Sequence, residues 1–117
     1  MAGRVIRNSN NYTGDASESR SIDVPDSSTD LQVNLEIDIT QIKAIYIVST
    51  QNVTLETNSG STPTDTIALL ANKPYVWFSD SYFVNKLTAD VTTGIFLTNA
   101  SGSAAVVDIA LTHDATP

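Results

Sequence analysis

Any catalytic chemistry in this chain would have to begin at His113, its one histidine. A catalytic or metal-bound imidazole needs partners that fix its ring and its tautomer. His113 lies close to the last residue, where chain ends fray, and reads as an exposed structural residue. Thirteen acids invite a search for carboxylate pairs. Glu36 and Asp38 stand two apart on the wet face of an alternating segment. Nothing there buries one carboxyl and raises its pKa, as a general acid requires. Asp26, Asp30, Asp65, Asp80, Asp90 and Asp114 read as loop residues. Asp80 and Asp90 are the candidates for a loop calcium site, but no run matches Asp-x-Asp-x-Asp-Gly, and the expectation is no metal.

The remaining reactive groups are equally isolated. No serine sits in a Gly-x-Ser-x-Gly elbow. Five glycines are scattered singly, so no loop cradles phosphate. Cysteine is absent, which removes disulfides, thiolate metal sites and thiol nucleophiles. The chain is expected to need no cofactor and to be no enzyme.

Recognition chemistry is what remains. Tyr75-Val76-Trp77-Phe78 is the densest aromatic run, and in a strand Tyr75 and Trp77 share one face while Val76 and Phe78 share the other. A two-layer fold has room for all four in its core, and that is the expectation. Tyr75, Trp77 and Tyr82 are the candidate interface aromatics, because Trp and Tyr anchor interfaces; the same rings are the candidates for stacking on a sugar.

Charge divides the chain. Residues 1–20 hold Arg4, Arg7 and Arg20 against Asp15 and Glu18, whereas the remainder holds three lysines against eleven acids, for a net charge of −7 overall. An acidic body repels phosphate backbones, so nucleic acid is not an expected partner. Arg4, Arg7 and Arg20 are the candidate contacts of a basic arm with an acidic protein surface; a plain unstructured terminus is the alternative. No apolar run approaches the roughly eighteen residues of a membrane span. The polar start, Met1-Ala2-Gly3-Arg4, leads to the expectation of a protein made in a cytosol without a secretory signal.

The elements that would carry these residues are strands. Residues 1–20 read as an extended N-terminal arm, and 21–117 as one β domain. Leu31 to Ile39 alternates five apolar with four polar residues without a miss, the period of a strand with one wet face. Lys43 to Val48 is apolar on both faces, as a central strand would be. Val53 to Thr57, Thr66 to Leu70, Tyr75 to Phe78, Thr93 to Thr98 and Ala104 to Leu111 follow, separated by turn residues; a helical turn at 66–70 is the competing reading. Ser79 to Asp90 reads as a long loop that tucks in Phe83, Val84 and Leu87, and Asn99 to Gly102 as a hairpin turn. Seven or eight short strands at this spacing signal an antiparallel β-sandwich, jelly-roll or immunoglobulin-like.

Three phrases, Val53-Thr54-Leu55-Glu56-Thr57-Asn58-Ser59-Gly60-Ser61, Leu87-Thr88-Ala89-Asp90-Val91-Thr92 and Leu97-Thr98-Asn99-Ala100-Ser101-Gly102, resemble small virion proteins of tailed bacteriophages, and the closing Asp114-Ala115-Thr116-Pro117 fits them. The resemblance implies a capsid decoration, or cement, protein of the virion, assembled in the host cytoplasm. It would clamp the major capsid protein as a homo-oligomer, with a trimer favoured. A tail or neck component that binds carbohydrate is the alternative. The matched phrases are strands and turns, so no functional residue comes with them.

Overall fold

A computed structural model describes residues 15–114. The described residues form eight strands: β1 (Asp15–Val24), β2 (Leu31–Val33), β3 (Ile42–Ser49), β4 (Val53–Thr57), β5 (Thr66–Leu69), β6 (Tyr75–Phe78), β7 (Ile95–Thr98) and β8 (Ala105–Asp114). They make two four-stranded sheets, in the orders β1-β8-β3-β6 and β2-β7-β4-β5. Every neighbouring pair is antiparallel.

Alternation decides which side chains meet. Ile45 and Ile47 of β3 and Val107, Ile109 and Leu111 of β8 come from one sheet, while Val53 and Leu55 of β4, Ile67 and Leu69 of β5 and Leu97 of β7 come from the other. All are buried in a single apolar cluster. Each such aliphatic contributes on the order of 1.5–3 kcal/mol by leaving water, which is how a cysteine-free chain holds two sheets together. Segment 66–70 is a strand, not a helical turn: β5 is an edge strand with Thr66 and Ala68 facing out.

The alternating segment 31–39 keeps its predicted faces but not its ladder. Leu35 and Ile37 are buried, and Gln32, Asn34, Glu36 and Asp38 are exposed, yet β2 ends at Val33. Pairing resumes in the same register as one isolated bridge, Ile37 with Val91. Between these points the opposing residues 92–94 are drawn away. The Thr92 and Thr93 amides donate to Asn58 Oδ1 (2.8 and 3.2 Å), and the Thr93 carbonyl accepts from Gln32 Nε2 (2.9 Å). Gly94 makes this bend, at φ +104°, and a Cβ there would lie 2.3 Å from the Val33 carbonyl oxygen.

Several expectations are corrected. Residues 15–20 are not arm: β1 pairs with β8 over all ten residues, from Asp15↔Asp114 to Val24↔Ala105. The long β8 supplies a ladder that Ser-Glu-Ser-Arg-Ser has no apolar pattern to advertise. The rest of the expected arm, with Arg4 and Arg7, lies outside the described residues. Asn99 to Gly102 is no hairpin, because β7 and β8 belong to different sheets. Asn99 is fully buried at this crossing. Its Nδ2 donates to the carbonyls of Ser103 (2.8 Å), Val24 (3.1 Å) and Pro25 (3.4 Å), and its Oδ1 accepts from the Ser101 amide (3.0 Å). His113 stands within β8, half-buried and opposite Ala16 and Ile42, not on a frayed end.

Candidate functional site

The flank of the molecule at β6 concentrates the exposed apolar side chains. Tyr75 and Trp77 turn inward and pack on the core cluster, while Val76 and Phe78 stand on the outer face, 42% and 52% exposed. The expectation that all four are core is therefore half wrong: among the described residues, no further layer covers the outer face of this sheet at Val76 and Phe78. Val76 lies beside Tyr46 of β3, which is also exposed, and Phe78 beside Ala44.

The polar tips of the two inward rings organise the loop that follows. Trp77 Nε1 donates to the Phe83 carbonyl (2.9 Å). The Tyr75 hydroxyl donates to Asn85 Oδ1 (2.8 Å) and accepts from the Lys86 amide (2.9 Å), and burial raises its pKa above the ordinary phenol value. These bonds hold the backbone of 83–86 against the flank. Leu87 is tucked in as expected, but Phe83 and Val84 are not. Tyr82, Phe83 and Val84 project into water at 95%, 73% and 88% exposure, with the Tyr82 and Phe83 rings edge to face at 5.9 Å. Of the nominated interface aromatics, only Tyr82 is freely presented. Val76, Phe78, Phe83 and Val84 were missed. For Phe83 and Val84 the signal is three consecutive apolar residues, Tyr82 to Val84, within a loop otherwise rich in Ser, Asp and Asn, a pattern that is an error in a soluble surface unless it has a use. For Val76 and Phe78, strand alternation places them on one face without saying that the face is uncovered.

The other candidate groups serve structure. Arg20 Nε binds Glu18 on its own strand (2.9 Å), with both side chains more than a third exposed. Their register with Ile109 and Leu111 places them on the inward-facing side of edge strand β1, a placement that discourages further strands from adding there. Beside them the interrupted ladder leaves an open cleft of about 570 Å³, lined by Gln32, Asn34, Leu35, Thr92 and Thr93 among others. Asp38 Oδ1 accepts from the Thr40 hydroxyl and amide (2.6 and 2.9 Å). Those bonds, with a smaller contribution from His113, hold its carboxyl below the usual range. Asp90, a calcium candidate, accepts from the Ile39 amide (2.9 Å), which fixes it as a loop anchor. Among the described residues, no three His, Asp or Glu side chains gather as a metal ion would require.

Comparison with protein-family models, curated proteins and solved structures found no match to this chain.

Proposed function

We propose that this chain is a non-enzymatic structural protein of a tailed-phage particle, a decoration protein that binds the major capsid protein and stabilises the shell. The observation that carries the reading is the apolar flank. Six of the seven large hydrophobic side chains exposed among the described residues sit on β6, on its neighbour β3 or on the loop leaving β6. An acidic surface with one such concentration is built for contact with protein. The strand order reads as a jelly roll of two four-stranded sheets rather than an immunoglobulin-like arrangement, an architecture used by both capsid and lectin domains. Architecture alone assigns no role; the virion setting rests on the sequence resemblance.

A sugar-binding role on a tail or neck is less well supported. Of the rings nominated for stacking, Tyr75 and Trp77 are turned inward, and Tyr82 meets Phe83 edge to face at 83°, so this set forms no flat platform. Co-sedimentation with capsids that lack this protein tests the reading. Saturable binding at hundreds of copies per particle is the expected result for a repeated shell site. Binding only to tails, or movement of the Trp77 fluorescence on adding host polysaccharide, would replace this reading with the sugar-binding one.

A further inference from the structure

We propose that a second copy of this chain docks along the free edge of β6, pairing the two β6 strands antiparallel and covering the exposed apolar side chains of β6 and of the loop leaving it. The inference deepens the assembly reading above and rests on it for the flank's use.

Hydrogen-bond phase is the first support. Ser79 N–H donates to the Lys43 carbonyl (2.9 Å), one step beyond the Phe78↔Ala44 pair. Bonded and non-bonded pairs alternate along an antiparallel ladder. Trp77 and Tyr75 therefore bond to β3, while the N–H and C=O of Val76 and the N–H of Phe78 point out of the sheet. The Phe78 carbonyl, on that same side, is taken by the Ser81 amide (3.0 Å). No partner for the outward groups of Val76 occurs among the described residues.

The second support is a comparison of edges. Edge strand β1 carries inward-placed Glu18 and Arg20, and edge strand β2 is three residues long. Edge strand β5 is as short and uncharged as β6, but its outward residues are the small Thr66 and Ala68, against Val76 and Phe78 on β6. Strand β6 has no charge within it, only Tyr-Val-Trp-Phe, and so lacks the usual protection against an added strand. An extended strand added to such an edge gains main-chain bonds together with side-chain contacts.

The third support is area. Edge pairing leaves Tyr46, one strand further in on β3, outside the contact. Taking roughly 200 Å² for a whole aromatic side chain, the exposed parts of Phe78, Tyr82 and Phe83 with the two valines, all on β6 or the loop leaving it, amount to on the order of 600 Å². The largest apolar patch on an ordinary monomer is about 300–600 Å², and a standard interface covers about 800 Å² on each partner. The contact reaches the top of the monomer range and supplies most of one side of an interface. Pairing identical edges is isologous and closes with two copies, so the geometry points to a dimer, where the resemblance to phage decoration proteins implies a trimer.

Sedimentation velocity of the full chain, with co-sedimentation on capsids in parallel, tests this. The wild type is expected at twice its 12.5 kDa chain mass at micromolar concentration. Val76→Lys, with unchanged circular dichroism and melting temperature, is expected to weaken the dimer at least 100-fold, and Phe83→Ser is a second variant outside the strand. A wild type that stays monomeric up to about 100 µM, a trimer, or a Val76→Lys protein that remains dimeric overturns the inference. If the wild type is monomeric but Val76→Lys abolishes capsid binding, the flank meets the shell, and the decoration role stands without the dimer. If the dimer forms through Val76 but no capsid is bound, the decoration role falls and the dimer stands.

Discussion

Replacing Asn99 with alanine tests the account of how the two sheets are joined. Asn99 is fully buried where the chain crosses from β7 to β8, and its amide satisfies one donor and binds three carbonyls, two of them at 3.1 Å or less. Each such bond is worth about 1 kcal/mol net, and more when a partner is left buried without a replacement. Ser101 and Ser103 are exposed, so water recovers part of what their backbone groups lose. The Val24 carbonyl belongs to a fully buried residue and is harder to rehydrate. The balance is a loss of about 2–4 kcal/mol. At about 4 °C per kcal/mol for a chain of this length, melting should fall by roughly 8–16 °C. Urea unfolding and thermal melting followed by far-UV circular dichroism give the value. Asn99→Asp sharpens the test. A carboxylate facing three carbonyls favours its protonated form, so its folded pKa rises, and the penalty grows as pH rises above about 4. Asn99→Ala within 1 kcal/mol of wild type, or Asn99→Asp equally stable at pH 4 and pH 7, would refute the reasoning.

Three further outcomes follow from local geometry. Gly94→Ala should destabilise by about 3 kcal/mol or more, because φ is +104° and the added Cβ would meet the Val33 carbonyl; chemical unfolding measures it, and a change below 1 kcal/mol would show that the bend relaxes. Desolvation, then the neighbouring Asp30 carboxyl, raises the pKa of Glu56. A carboxyl with a raised folded pKa contributes less stability as pH climbs from its unfolded value, near 4.3, through the folded one. Glu56→Gln should therefore raise the melting temperature at pH 7 by up to about 4 °C, with the gain fading below about pH 4; a loss at pH 7 would reverse the sign. Trp77→Phe removes the indole donor to the Phe83 carbonyl while keeping a ring in the core. Proteolysis within 81–86 should quicken by several-fold as one hydrogen bond of about 1 kcal/mol is lost, with global melting little changed; an unaltered cleavage rate would show that other contacts hold the loop.

The strands were legible wherever burial imposes a period. Val53 to Thr57 and Ala105 to Leu111 alternate because one side of each meets the core, and the sequence records that directly. Segment 31–39 carries the same record, yet its ladder is interrupted by Asn58 capturing two threonine amides from a distant segment, which no local pattern encodes. The first six residues of β1, 15–20, read as arm because they carry no apolar alternation, whereas Ile22 and Val24 further along the strand reach the core; the strand character of 15–20 comes from β8. Asn99 looked like a hairpin residue since turn chemistry gives a change of direction without saying which sheet the chain enters next. At the flank, the sequence placed Val76 and Phe78 on a common face, but whether a second layer covers that face is a tertiary fact. The outward set of Phe83 and Val84 depends on the Trp77 indole bonding a carbonyl six residues on.

The central claim is that this chain is bound through its β6 flank, and amide hydrogen exchange resolved to single residues of β6 tests it most directly. Tyr75 and Trp77, bonded to β3, should exchange slowly in every state. Val76 and Phe78, whose amides point from the free edge, should exchange fast in dilute solution and slow by at least 10-fold when the protein is concentrated or seated on capsids. Fast exchange at Val76 and Phe78 in all three states, with new protection appearing elsewhere on capsids, would contradict the account.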